Sequence, residues 1–286
     1  MSVTLVYQPT VIIMADMTFV PGALEEMTHF IGATHPECYP EGYVKVLQVH
    51  EYPDTFARHK AFPHGGTEKG RHLTDNELLP ELYGRLCYYS FGVKGRIRPN
   101  SLYITDTQGG AIPHRSLMYH PKMSFFISGV SRRLTHELIR HYVGADRSEE
   151  GSPSQESTRY VEHPGWFVVH PYVIAKGKEA IEYFDVSMEV AYRQYTAFIN
   201  GEESDYIKQH NGKNAQGLDR KRIYEAASSF LPHSAMTSLG WTTNPAALSK
   251  LFMERLDESA DLEFQRLAQI WKKLCVERWP NLFQEF

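Results

Sequence analysis

The chain has 286 residues, enough for one large domain or two small ones and for a core that needs no disulfide or metal staple. A net charge of −4 excludes the broadly basic field of a general nucleic-acid or membrane-surface binder, and 13% aromatic content excludes a solvated coil. The 3 cysteines, Cys38, Cys87 and Cys275, are too few and odd in number for a disulfide scaffold. No run of about 18 apolar residues marks a transmembrane helix, and no basic segment followed by an apolar core opens the chain. The expectation is a cytoplasmic protein.

In chain order, β-branched runs predict strands at Val3–Tyr7, Val11–Ile13 and Val44–Val49. Leu24, Met27 and Ile31 predict a short helix over 21–35, and Leu78, Leu79, Leu82 and Leu86 another over 75–88. Residues 52–75 read as a polar surface excursion and 91–119, rich in Gly and Pro, as irregular. A strand is expected over 122–128, then a helix capped by Ser131 and running to Tyr142. A polar loop over 143–153 leads to an extended segment over 154–162. The apolar stripe Ile181, Phe184, Met188, Ala191, Tyr195 and Phe198 predicts a long helix over 177–199. A loop over 201–218 and helices over 219–230 and 245–278 complete the chain. Strands early and helices late give an α+β fold, a mixed sheet flanked by helices with a helix-rich C-terminal half. The organisation expected is an N-terminal region, 1–77, partly an extension, and a catalytic domain, 78–286.

Several motifs fail on spacing. His136-Glu137 lacks the second His four residues after the first, because position 140 is Arg; His141 lies about 140° around a helix from His136. No metal site is therefore expected. Gly65–Gly70 has phosphate-loop spacing, but Arg71-His72 follows it, and no dinucleotide-binding glycine motif occurs.

What remains is the stretch 129–161. On a helix, Arg133, Glu137 and Arg140 share a face, and His141 borders Glu137. In an extended segment Gln155, Ser157 and Arg159 project to one side, an amide, a hydroxyl and a guanidinium suited to a phosphate or carboxylate. An amphipathic helix with a solvated charged face beside a polar edge strand would read the same way.

Arg140-His141-Tyr142 followed by Ser157-Thr158-Arg159-Tyr160 resembles the signature of the flavin-dependent thymidylate synthases, which is Arg-His-Arg, a spacer, then Ser-x-Arg-Tyr. Gly84–Ser90, His114, His120, Leu231-Pro232, Asn244, Arg255 and Glu258–Glu263 are similar to further family segments, in the same order. The resemblance covers about 78–284. It implies transfer of a one-carbon unit from methylenetetrahydrofolate to C5 of a pyrimidine deoxynucleotide monophosphate, most simply dUMP to dTMP. FAD would carry a hydride supplied by NADPH. It implies a catalytic role for Arg255 and substrate contacts from Glu137, Arg140, Gln155, Ser157 and Arg159. Flavin contacts would come from His114, Ser116, Arg140, His141, Tyr142, Asn244 and Lys250. It also implies a homotetramer with shared active sites; from the net charge and the lack of a long apolar run, no nucleic-acid or membrane partner is expected.

The sequence departs from the family at Tyr142, where an Arg is usual, and in about seven extra residues around Ala145–Ser152. It departs again at Ser228, where an Arg binds phosphate, and at Ala246, Lys250 and Ser259. Arg147, in the extra loop, is expected to replace the guanidinium missing at Ser228. These changes leave open methylation or hydroxymethylation of another nucleotide, such as dCMP, or a non-catalytic nucleotide- or flavin-binding relative.

Overall fold

The computed structural model describes residues 2–34, 73–88, 100–109, 114–142, 152–201 and 217–283. The expected strand over 43–51, most of the excursion over 52–75, most of the loop over 143–153 and Arg147 lie outside the described residues. The described chain forms two compact units, each assembled from several stretches.

Unit one comprises residues 1–14, 124–242 and 253–271. Its main sheet has the order β2-β3-β6-β4, made from β2 (Thr10–Asp16), β3 (Met123–Ser131), β4 (Ser152–Gln155) and β6 (Met236–Thr243). β4 runs antiparallel to β6, with Gln155 opposite Leu239. A second, two-stranded sheet pairs β1 (Thr4–Val6) in parallel with β5 (Trp166–Val168). β3 alternates as a half-buried strand should, placing Phe125 and Ile127 in the core. Near its end, Gly129 has a φ of +71° and lies so close to the chain just before β2 that a Cβ there would stand 2.8 Å from the Gln8 carbonyl. Only glycine meets both conditions without strain.

The last residue of β3 is Ser131, the predicted cap, at the start of α4 (Arg132–Leu138). Its hydroxyl accepts from the Leu134 amide at 3.0 Å. After Leu138 the helix tightens into a 3₁₀ turn, Ile139–Tyr142. The change in pitch corrects the expected face: Arg140 leaves the Arg133–Glu137 stripe and is exposed, while His141 turns inward and is buried. The expected strand over 154–162 is likewise shorter, because the chain turns at 158–160 after β4 ends at Gln155. Gln155, Ser157 and Arg159 therefore do not line one side of a strand.

The long helix falls where its stripe placed it, α6 (Lys178–Asn200), after the short α5 (Pro171–Ala175). Tyr195 and Ile199 pack with Ile223, Tyr224 and Ala227 of α7 (Gly217–Ala227), and Met188 packs with Phe167 and Ala235. The strand β6 between the expected C-terminal helices carried no sequence expectation. The single helix expected over 245–278 is two, α8 (Pro245–Arg255) and α9 (Leu262–Arg278). The break is built by Asp257, whose carboxylate accepts from the Ser259 amide at 2.9 Å, and by Asp261, which caps α9 through the Glu263 and Phe264 amides at 3.0 and 3.1 Å.

Unit two comprises residues 15–123, 243–252 and 272–286 and contains α1 (Ala23–Thr34), α2 (Asp75–Tyr88), α3 (Asn100–Gly109) and α10 (Pro280–Phe283). α2 matches its predicted bounds, whereas α3 and a 3₁₀ turn at Arg115–Tyr119 occupy the stretch expected to be irregular. Asn100 explains α3: its side-chain nitrogen is bonded to the Glu77 carbonyl and the Glu81 carboxylate, both at 2.8 Å, and its oxygen accepts from Asn281 at 2.8 Å. Arg85 closes this buried set on Glu81 at 2.7 Å. Long-range polar pairing of this kind leaves no periodic trace in the sequence.

Two buried groups give stability predictions. The Glu263 carboxylate accepts the Ser131 amide at 2.8 Å, the Ser131 hydroxyl at 2.7 Å and Arg133 Nη2 at 3.0 Å. Glu263→Ala would leave the Ser131 amide and hydroxyl without this acceptor, Arg133 keeping Asp261, and cost about 3 kcal/mol, read by urea denaturation; a loss under about 1 kcal/mol would contradict the assignment. His163 is buried among Phe167, Tyr192 and Tyr195, and burial lowers its pKa to about 4. The unfolded chain binds the extra proton between about pH 6.5 and 4, so stability falls as pH falls through that window. His163→Gln should flatten this part of the stability–pH curve, and an unchanged slope would contradict it.

Candidate active site

In unit one, three residues from the 129–161 motif and the C-terminal helices meet around one guanidinium. Arg255 ends α8. Its Nη1 donates to Glu137 Oε2 and its Nε to His141 Nε2, each at 3.0 Å. Its guanidinium carbon stands 4.8 Å from the centre of the Phe264 ring, which His141 also meets edge-on at 6.0 Å. A guanidinium only donates, so His141 Nε2 must be a lone pair: the ring is neutral, with its proton on Nδ1. Nδ1 lies 3.9 Å from Glu254 Oε2.

The arrangement is braced from below by α4 and α9. Arg133 makes a two-pronged pair with Asp261, at 2.6 and 3.0 Å, and reaches Glu263 as well. Burial disfavours the Asp261 anion, but the bonds from Arg133 and the Phe264 amide outweigh it, and its pKa lies below the ordinary value. The same bonds to Asp261 raise the pKa of Arg133 against the opposing effect of burial. His170 Nε2 stands 3.4 Å from the same carboxylate. Sequence reasoning missed Asp261, Glu263 and Phe264 as supports, although an Asp immediately before an apolar-periodic run was a readable cap.

The other motif residues of this unit lie apart from that triad's bonds. Gln155 Nε2 contacts the Thr135 and Thr237 hydroxyls at 3.1 and 3.3 Å. Ser157 Oγ accepts the Arg159 amide at 3.3 Å, and Arg159 itself pairs with Glu225 of α7. Arg140 makes no hydrogen bond or ion pair with a described residue, and Tyr142 closes the 3₁₀ turn.

In unit two, Asn244 is fully buried and caps α8, its Oδ1 accepting the Ala247 amide at 2.9 Å. Its Nδ2 is buried without a hydrogen-bond partner among the described residues. A buried, unmatched amide donor is costly alone and suits a ligand carrying acceptor atoms, as a flavin ring does. Lys250 is half-buried on α8; His114 and Ser116 are exposed, with His114 edge-on to Tyr88 at 6.0 Å. Among the described residues, no three His, Cys, Asp or Glu side chains are grouped to hold a metal ion, and no helix is long and apolar enough to cross a membrane.

The comparisons agree with this α+β architecture. Residues 71–281 match the family profile described as thymidylate synthase complementing protein. The flavin-dependent thymidylate synthase of Mycolicibacterium vanbaalenii is 33% identical over 209 residues, 73% of this chain and 78% of that one. That of Corynebacterium diphtheriae is 30% identical over 214 residues, 74% and 80% of the two chains. Thymidylate synthase X of Helicobacter pylori, solved with FAD and dUMP, shares the fold with a TM-score of 0.51 at 21% identity, over 73% of this chain and 93% of that one. The UMP/dUMP methylase PolB of Streptomyces cacaoi, bound with 5-Br UMP, does so with a TM-score of 0.53 at 17% identity, over 73% and 88%. The fold is that of a methyltransferase-type enzyme. The chain belongs to the flavin-dependent thymidylate synthase family.

The lone pair assigned to His141 is directly checkable. Ring-nitrogen chemical shifts at pH 8 should report the proton on Nδ1, and a proton on Nε2 would contradict the Arg255–His141 bond.

Proposed function

We propose that this enzyme transfers a one-carbon unit from methylenetetrahydrofolate to C5 of dUMP and reduces it, giving dTMP. The observation that carries the reading is Arg255, a permanently charged group held by Glu137 and His141 beside the Phe264 ring. Its Nη2 has no hydrogen-bond partner among the described residues, so one face of the guanidinium remains for another acceptor. A pyrimidine becomes nucleophilic at C5 without an added group at C6 when its ring carries negative charge, as on loss of the N3 proton, and that charge is spread over N3 and the ring oxygens. A preorganised guanidinium stabilises such charge without reorganising. No enzyme nucleophile is required, and Cys275 fits that: burial pushes its thiol well above the usual range.

FAD, when bound, supplies the hydride that completes the methyl group, and NADPH replenishes it. On this reading Asn244, His114, Ser116, Lys250, Arg140, His141 and Tyr142 hold the flavin. The unmatched Nδ2 of Asn244 supports that role most directly. Gln155, Ser157, Arg159 and Arg147 serve the nucleotide, and Glu137 serves it both directly and through Arg255. The assembly proposed is a homotetramer in the cytoplasm.

The test is tritium release from C5-labelled dUMP, with C5-labelled dCMP in parallel, in the presence of FAD, NADPH and methylenetetrahydrofolate. Release from dUMP, with dTMP identified by mass, is expected. Arg255→Lys should lower kcat by about 100-fold or more, because the paired, planar donors are lost. Release from dCMP alone, or from neither nucleotide, would overturn the proposal.

A further inference from the structure

Glu254 and Arg255 are consecutive on the last turn of α8, about 100° apart around the helix, and the buried imidazole of His141 spans both. Its Nε2 accepts from Arg255 Nε at 3.0 Å, and its Nδ1 stands 3.9 Å from Glu254 Oε2. Arg255 Nη1 continues the line to Glu137 at 3.0 Å. No motif marked Glu254, and the reaction proposed above gives it no part.

In an imidazole, the partner of one nitrogen decides the chemistry of the other. A neutral ring carries one proton. Placed on Nδ1, that proton faces the Glu254 anion and leaves the Nε2 lone pair for Arg255. Placed on Nε2, it meets the Arg255 N–H, and Nδ1 turns a lone pair on a carboxylate. The second arrangement is repulsive at both ends. A doubly protonated ring also loses the Arg255 bond, and the guanidinium is then held through Glu137 alone. Two bonds fix a guanidinium in its plane; one lets it pivot. The other elements around the ring supply no competing anion to Nδ1. Glu137 of α4 is engaged through Arg255, and α9 presents the uncharged Phe264 ring at 6.0 Å. β4, packed on the same 3₁₀ turn, has no ionisable side chain, and Arg140 beside His141 is exposed. At 3.9 Å the Glu254 contact is an attraction between charge and dipole rather than a hydrogen bond. Water weakens it on the exposed Glu254 side, while on the buried His141 side the protonation state follows the nearest charge.

We infer that Glu254 is a positioning residue, whose charge selects the Nδ1–H form of His141 and through it fixes the plane of Arg255. The inference rests on the role proposed for Arg255 and deepens it. The same charge favours the doubly protonated ring, so Glu254 also sets the pH below which Arg255 loses its second holder.

Two readouts on the full-length protein test this. The first needs no turnover: ring-nitrogen chemical shifts of His141 from pH 8 to pH 5, with hydrogen exchange of Arg255 Nε–H. Glu254→Gln keeps the shape and loses the charge. At pH 8 the His141 proton is expected to spread to Nε2, the ring's titration midpoint to fall by about 0.5 pH unit, and Arg255 Nε–H to exchange about threefold faster. Glu254→Asp should return all three toward the parent. Glu258→Gln, in the exposed turn after α8, should match the parent. The second readout is C5 tritium release from dUMP with FAD, NADPH and methylenetetrahydrofolate. Glu254→Gln should lower kcat about 3- to 5-fold with KM for dUMP within about twofold, and move the acid limb of the pH profile by the same amount as the ring titration. Parent-like ring shifts in Glu254→Gln would overturn the inference. So would altered ring shifts with parent-like Arg255 exchange, because His141 would then transmit nothing to Arg255. If the parent released no tritium, the proposed reaction would fail, and the first readout would still decide the role of Glu254. Matching thermal melts of parent and variants exclude misfolding as the cause.

Discussion

A carboxylate buried away from water must be surrounded by donors, and Glu263 meets that condition in one way only. It takes the amide and hydroxyl of Ser131 and a nitrogen of Arg133, so the first turn of α4 and the first turn of α9 are fixed against each other. Asp261 reinforces the contact from two residues earlier through the rest of the Arg133 fork. Phe264, the next residue after Glu263, is thereby set beside Arg255 and His141. Glu137, one turn beyond Arg133 on α4, is presented to the same guanidinium. The placement of Arg255 thus follows from satisfying one buried acid.

The two cationic features of unit one differ in physical character. Arg255 is largely enclosed and already committed through two of its nitrogens, which suits a group that must meet developing charge in a fixed geometry. Arg220 is exposed and Lys221 half-buried, and neither has a carboxylate partner among the described residues.

How much of this was legible depended on the range of the interaction. Local signals worked: the leucine spacing of 75–88, the stripe of 177–199 and the cap at Ser131 each stood where the pattern placed them. Ordered short motifs located Glu137, His141 and Arg255, which the fold brings into contact from 114 and 118 residues apart. Non-local effects were not legible. The tightening after Leu138 that exposes Arg140 and buries His141 depends on tertiary packing that overrides helical periodicity. α3 exists because Asn100 is bonded to residues from α2 and α10, not because of its own propensity. The break between α8 and α9 was readable in principle, since Asp257 and Asp261 are turn and cap residues, but apolar spacing on both sides masked it.

The central claim is that Arg255 works through its pairing with Glu137. A double-mutant cycle on kcat/KM for C5 tritium release, using Glu137→Gln, Arg255→Lys and the double variant, measures that coupling. The account predicts a coupling energy of about 1.5 kcal/mol or more, because the two side chains share one bond. Additivity within about 0.5 kcal/mol would contradict it and detach Glu137 from the role of Arg255.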